Sequence, residues 1–261
     1  MSVQLAIVIV GPQASGKTHN AEAFRTHYGM KRIVDDWDGE TNLCPGDLAL
    51  TNVSVAIPNG APYRVIEVDE ALAAITGVAL IPVQIGNLNQ LASEIHAANQ
   101  HWWHDPKTGE CLDRNRGEMF MLMVSEVAEA MEGERKNLMD DHLPTRRMAE
   151  VELADTLIRI FDYAGAMGMD LDSLFGIAIE DFPDNKGEAL LQIAQQLVQA
   201  YDPNDMWAPR WHLANVIALI RRYADTYGYD LDGAVTEKRR YNLTRADHTT
   251  AARLAANGKK W

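Results

Sequence analysis

The chain has 261 residues, 47% hydrophobic and 23% charged, enough to bury a core in one large domain or in roughly two to three small ones. Its formal net charge of −13 argues against a nucleic-acid binder, which needs a basic surface, but leaves room for a nucleotide held by a local basic patch or a metal. Cys44 and Cys111 lie far apart without metal-ligand spacing, as expected for a chain kept reduced in the cytoplasm.

In chain order, Leu5 to Val10 reads as a buried β-strand. It is too short to span a membrane and no basic residue precedes it, so neither a signal peptide nor a membrane anchor is expected. It runs into Gly11-Pro-Gln-Ala-Ser15-Gly16-Lys17-Thr18, the spacing of a P-loop, followed by a helix-like segment to Tyr28 that Gly29 stops. The glycines let backbone N–H groups close around phosphate oxygens at the positive end of the following helix. Lys17 reaches for the terminal phosphates and Thr18 for Mg2+, so Gly11, Ser15, Gly16, Lys17 and Thr18 form the expected nucleotide site, for ATP or GTP. Short strands are expected at Lys31–Asp35, Asp47–Ile57 and Tyr63–Val68, with Asp35-Asp36 or Asp69-Glu70 as a further Mg2+ carboxylate. Residues 1–86 thus read as a small α/β P-loop domain, short for a P-loop kinase and without a visible lid.

From Asn87 to Trp103 the pattern is helical, with Leu91, Ile95 and Ala98 on its inner face, and Asp105-Pro106 breaks it. Trp102 and Trp103 read either as packing or as a stack for a nucleobase; His101 and His104 have no third ligand in sequence, so zinc is not expected. A loop at Lys107–Gly117 then delivers two helices within Glu118–Ala164. The first carries Glu126 and Glu129, the second Glu152 and Asp155, each pair at i and i+3 and so on one helix face. Met119 to Val124 is apolar around the whole turn, which predicts a first helix buried on all sides. A lone pair of this kind is commonly a solvated face. Four carboxylates on two apolar helices are costly unless paired or bound to a metal, and point to a divalent cation.

Asn115-Arg116-Gly117-Glu118, then Glu126-x-x-Glu129, then Glu152-x-x-Asp155 resembles the MazG-type all-α nucleoside triphosphate pyrophosphohydrolases. The resemblance covers roughly Asn87 to Asp172 and resumes near the C-terminus. It implies a helical bundle in which Glu126, Glu129, Glu152 and Asp155 are both metal ligands and catalytic residues for Mg2+, with Mn2+ as a substitute. The implied reaction cuts a nucleoside triphosphate to monophosphate and pyrophosphate. It further implies that Lys238, Asn242 and Arg245, in the basic segment Glu237–Arg245, contact substrate phosphates.

An internal repeat follows. Leu153-Ala154 and Leu213-Ala214 open matching stretches that continue through Tyr163-Ala164 and Tyr223-Ala224 to Gly168-x-Asp170-Leu171-Asp172 and Gly228-x-Asp230-Leu231-Asp232. Asn115-Arg116-Gly117-Glu118 matches Asn185-Lys186-Gly187-Glu188. On this alignment Glu126, Glu129, Glu152 and Asp155 fall on Gln196, Gln199, His212 and Asn215, so charge is lost while polarity is kept. The expected architecture is therefore multidomain: the P-loop domain, a catalytic helical unit at 87–182, and a degenerate copy with a basic tail at 183–261. An internal pseudo-dimer or a homo-oligomer is expected, with no nucleic acid or membrane partner. Two other readings compete: a P-loop ATPase or nucleotide kinase with accessory helices, which would release a nucleoside diphosphate, and a nucleotide-sensing helical interaction module that binds without turnover.

Overall fold

The computed structural model describes residues 5–11, 17–18, 20–53, 63–76, 87–174, 182–202 and 209–259. The chain divides into two compact units, Met1–Ile81 with Arg240–Arg245, and Pro82–Arg239 with Ala246–Trp261. The two helical segments expected as separate domains fall within the second unit, except for Arg240–Arg245.

In the first unit, β1 (Ala6–Val10), β2 (Arg32–Val34), β3 (Asp47–Thr51) and β4 (Tyr63–Glu67) form a parallel sheet in the order β2-β3-β1-β4. Successive strand residues point to opposite faces. Ile7 and Ile9 therefore join Leu48, Leu50 and Ile66 in a core completed by Phe24 of α1 (Ala21–His27) and Leu72 of α2 (Val68–Thr76). Val8 and Ala49 pack with Trp37 on the other side. The sequence reading missed α2, although Val68, Ala71, Leu72 and Ile75 have the i, i+3, i+4, i+7 spacing of a helix face. The helix expected from Thr18 begins at Ala21, and β3 ends at Thr51; residues 54–57 of its expected span lie outside the described residues.

The second unit is helical: α3 (Leu88–Ala98), α4 (Arg116–Lys136), α5 (Met148–Ala166), α6 (Lys186–Ala200), α7 (Pro209–Tyr227), α8 (Leu231–Thr244, whose end is counted with the first unit) and α9 (Thr250–Leu254). The α4–α5 and α6–α7 hairpins pack through α4 on α6 and α5 on α7, and α3 lies on α5. Phe120, Met123, Leu153, Leu157 and Phe161 share one buried cluster with Ile193, Leu197, Leu213, Val216 and Ile220. Each such side chain contributes about 1.5–3 kcal/mol when fully buried. The seam between hairpins therefore outweighs local helix propensity, whose spread among ordinary residues is about 0.7 kcal/mol each. Partly buried polar ties reinforce it. Glu134 accepts hydrogen bonds from Lys186, Tyr223 and Tyr229, and Arg146 pairs with Glu150, Asp230 and Glu237.

The hairpins begin and end alike. Asn115 and Asn185 cap α4 and α6, each accepting from the backbone N–H of the glutamate three residues on. Gly168 and Gly228 follow α5 and α7 at φ +60° and +73°, where a side chain is strained. Gly165 is required by close approach, since a Cβ there would sit 2.4 Å from the Ala92 carbonyl oxygen of α3.

One expectation is overturned. α4 is not buried on all sides: Met119, Phe120, Met123 and Val127 are covered, whereas Met121 is 61% exposed. Its apolar run is wider than the face the bundle needs. Among the described residues, no helix is long and apolar enough to cross a membrane.

Candidate metal centre and phosphate loop

α4 and α5 bring Glu126, Glu129 and Glu152 together, with one carboxylate oxygen from each within 4.8 Å of the others. Glu126 and Glu152 are each only 7% exposed, while Glu129 stands at the solvent side. Burial, then the charges of Asp155, Glu126 and Glu129, push Glu152 up to about 9 against the opposing pull of Lys238. Glu129 is raised as well, by burial and then by Glu126 and Asp155. This is the signature of carboxylates crowded past what their own cations neutralise. Oxygen ligands on opposite sides of Mg2+ lie about 4 Å apart, so the set fits a hard divalent cation after small side-chain shifts.

Asp155, expected as a fourth ligand, stands beside this group rather than in it. Its Oδ2 pairs at 2.9 Å with Nζ of Lys238, which α8 inserts with 2% exposure. Burial works against the Lys238 ammonium, yet the charge and hydrogen bond of Asp155 outweigh it and hold its pKa above the ordinary value. Glu126 has a cation of its own: Arg159 reaches its Oε1 at 2.6 Å. Four carboxylates thus face two cations.

The other tail residues belong to the segment counted with the first unit. There the Asn242 Oδ1 is buried without a hydrogen-bond partner among the described residues, and Arg245, just past α8, lies 5.7 Å from the Tyr241 ring centre. In the second hairpin, at the positions aligned with Glu126 and Glu152, Gln196 and His212 hydrogen-bond to each other at 2.9 Å, and Asn215 is buried. A single hydrogen bond there takes the place of the crowded acids.

Trp102 and Trp103 follow α3. Arg253 stands 4.7 Å from the Trp102 ring centre and Arg114 stands 5.3 Å from that of Trp103, whose indole N–H donates to Asp162. The stack that the sequence reading left for a nucleobase is made, over each ring, by a guanidinium of the chain itself.

In the first unit, Gly11 leaves the C-terminal end of the central strand, the edge where parallel α/β sheets hold ligands. Ser15 and Gly16 lie outside the described residues. Lys17 is 6% exposed and donates to the Gly11 carbonyl at 2.7 Å. Burial and then Arg240 lower it to about 8 against the pull of Asp35 and Asp36. The Thr18 hydroxyl donates to Asp35 at 3.1 Å, so the candidate carboxylate after β2 meets the loop's hydroxyl. Of the alternative pair, the Asp69 side chain lies outside what is described and Glu70 pairs with Arg64.

No family model, curated protein or solved structure matches the chain.

The sequence reading did not assign a role to Arg159. The signal was present: Arg159 lies four residues beyond Asp155 and seven beyond Glu152, which puts all three on one stripe of α5. What sequence could not supply was the neighbour across the hairpin, Glu126.

Proposed function

We propose that the second unit is a Mg2+-dependent nucleoside triphosphate pyrophosphohydrolase, releasing a monophosphate and pyrophosphate. The observation that carries this reading is the convergence of Glu126, Glu129 and Glu152 to within 4.8 Å, with Asp155 and Lys238 alongside. Those three carboxylates would hold the cation, with Mn2+ able to substitute. When bound, the ion neutralises triphosphate charge and polarises the phosphorus under attack by water. The chain's own groups do the rest. Lys238 offers a buried ammonium for a phosphate oxygen, and Arg159 fixes the Glu126 carboxylate. The matched caps of α4 and α6, the paired glycines, and the Gln196–His212 contact support a duplicated hairpin, an internal pseudo-dimer whose second copy lost its acids. The test is product analysis: a panel of ribo- and deoxyribonucleoside triphosphates with Mg2+, assayed for pyrophosphate against inorganic phosphate. Nucleoside diphosphate and inorganic phosphate as products would overturn it.

The raised Glu152 predicts the pH dependence. Its carboxyl holds a proton in the folded chain from about 4.5 up to about 9, where the unfolded chain has released it. Without metal, stability therefore falls as pH rises through that window. A cation must displace the proton, so Mg2+ affinity climbs with pH up to about 9, by roughly tenfold per unit. Calorimetry at pH 7 in buffers of different ionisation enthalpy should find about one proton released per site. No proton release would contradict the assignment of Glu152 as a ligand.

A second reading concerns the first unit. The Thr18–Asp35 contact and the buried Lys17 favour nucleotide binding there, in a site of its own. Lys17→Ala is expected to weaken ATP or GTP binding to that unit by at least about tenfold, as for loss of a charge-assisted phosphate contact. Pyrophosphate release should stay within about twofold of the parent protein. Equal loss of both would mean that the two units share one reaction.

A further inference from the structure

We propose that a cavity of about 420 Å3 beside the start of α4, walled by Arg114 and Arg253, binds the phosphate group of a small phosphate monoester. This does not rest on the hydrolase reading. The cavity's charged lining is Arg114, Arg253 of α9 and Lys259, the last paired with Asp247, together with Asp105, Asp113 and Glu118. Its volume suits a ligand of mononucleotide size.

Arg253 is 8% exposed. Its guanidinium donates from Nη1 to the His101 carbonyl and, at 3.4 Å, from Nη2 to the His104 carbonyl, while its buried Nε has no partner. Arg114 donates from Nη1 to the Trp102 carbonyl at 2.9 Å. Among the described residues, neither arginine has a carboxylate within ion-pair distance; Asp105 acts on Arg253, and Asp162 and Glu118 on Arg114, only at longer range. Burial lowers the pKa of both guanidiniums, and Arg159 and then Arg253 depress Arg114 further against the pull of Asp162 and Glu118. A buried charge such as that of Arg253 is ordinarily paired, and a buried donor without a partner is costly. Two guanidiniums backed by indole rings and satisfied in part by carbonyls are built to receive an oxyanion, which takes charge-assisted and forked hydrogen bonds from arginine. Asp105 and the exposed Asp113 and Glu118 on the same wall favour a ligand whose remaining body donates hydrogen bonds, such as a sugar or an amino-bearing base.

The cavity is separate from the metal cluster. Glu118 and Glu126 are on the same helix, about 12 Å apart along its axis.

The test uses the full chain carrying Lys17→Ala, which removes the phosphate loop's lysine, in EDTA, which keeps the carboxylate cluster metal-free. Inorganic phosphate, a nucleoside 5′-monophosphate and the matching nucleoside are titrated, with calorimetry and the NMR signals of arginine Nε–H and tryptophan indole N–H as readouts. Saturable binding of the monophosphate is expected, with inorganic phosphate competing. The Arg253 Nε–H and Trp102 indole signals should shift, and the nucleoside should bind at least about tenfold more weakly. Arg253→Met is expected to cost at least about tenfold in affinity, with Arg253→Lys intermediate and Glu129→Gln without effect. Absence of saturable binding by either phosphate probe would overturn the proposal. So would binding that leaves the Arg253 and Trp102 signals unmoved, or a nucleoside that binds as tightly as its monophosphate. Because the shifts are read with both arginines intact, an Arg253 variant that fails to fold leaves the test standing.

Discussion

Glu129→Gln should abolish triphosphate hydrolysis, by a factor on the order of 10² or more, in a protein that remains folded. Glu129 is the solvent-side member of the carboxylate group and one of the charges that raise Glu152. Replacing it with a neutral amide removes an oxygen ligand of full charge but no packing. It also relieves repulsion within the cluster, so melting temperature without metal should hold or rise. The helix geometry tolerates the amide: the aligned residue of the second hairpin, Gln199, is an exposed glutamine on α6. Three measurements decide the matter together: pyrophosphate release, Mg2+ titration by calorimetry, and thermal unfolding with and without Mg2+. Near-parental turnover at saturating Mg2+ would remove Glu129 from the metal site.

Lys238→Met should behave in the opposite way, losing stability when metal is absent and regaining it when metal is supplied. The substitution keeps the apolar stem that packs in the core and deletes the ammonium. Asp155, which pairs with it at 2.9 Å, is then left beside Glu152 without its counter-charge. Removing one partner of a buried pair costs about 3–5 kcal/mol, and Asp155's partial access to solvent puts this case near the lower end. In EDTA, the melting temperature should drop by several degrees, on the order of 2–4 °C per kcal/mol for a unit of this size. A divalent cation supplies the missing charge and so binds the variant more tightly than the parent, which shrinks the loss in Mg2+ by about 1.4 kcal/mol for each tenfold in affinity. Substrate affinity should fall at least about tenfold even with Mg2+, because the ion does not replace the phosphate contact proposed for Lys238. An equal loss of stability in EDTA and in Mg2+ would make Lys238 a packing residue with no link to the metal.

The second prediction depends on a partner that the sequence reading did not pair. Lys238 was assigned by resemblance to substrate phosphate, in a tail following the acid-free copy, with nothing to say which hairpin it serves. α8 carries it to Asp155 of the first hairpin. Asn242 and Arg245 were grouped with it by the same resemblance; Asn242, one turn further along α8, and Arg245, just past its end, fall in the part counted with the other unit.

What the sequence by itself determined is local. The strand before Gly11, the i, i+3 pairing of Glu126 with Glu129 and of Glu152 with Asp155, and the asparagine that opens α4 and α6 all follow from repeat distances within one element. Even α2 was legible, since its apolar residues have helical spacing; the strand reading of Tyr63–Val68 ran over its first residue. Tertiary structure alone decided which carboxylates converge. The rotation of each helix about its axis is set by the apolar seam of Phe120, Leu157, Ile193 and Ile220. That rotation turned Glu126 and Glu152 inward, left Glu129 toward solvent, and gave Asp155 to Lys238 and Glu126 to Arg159. Charge partners far apart in sequence leave no periodic trace, because what brings them together is the packing of residues that carry no charge.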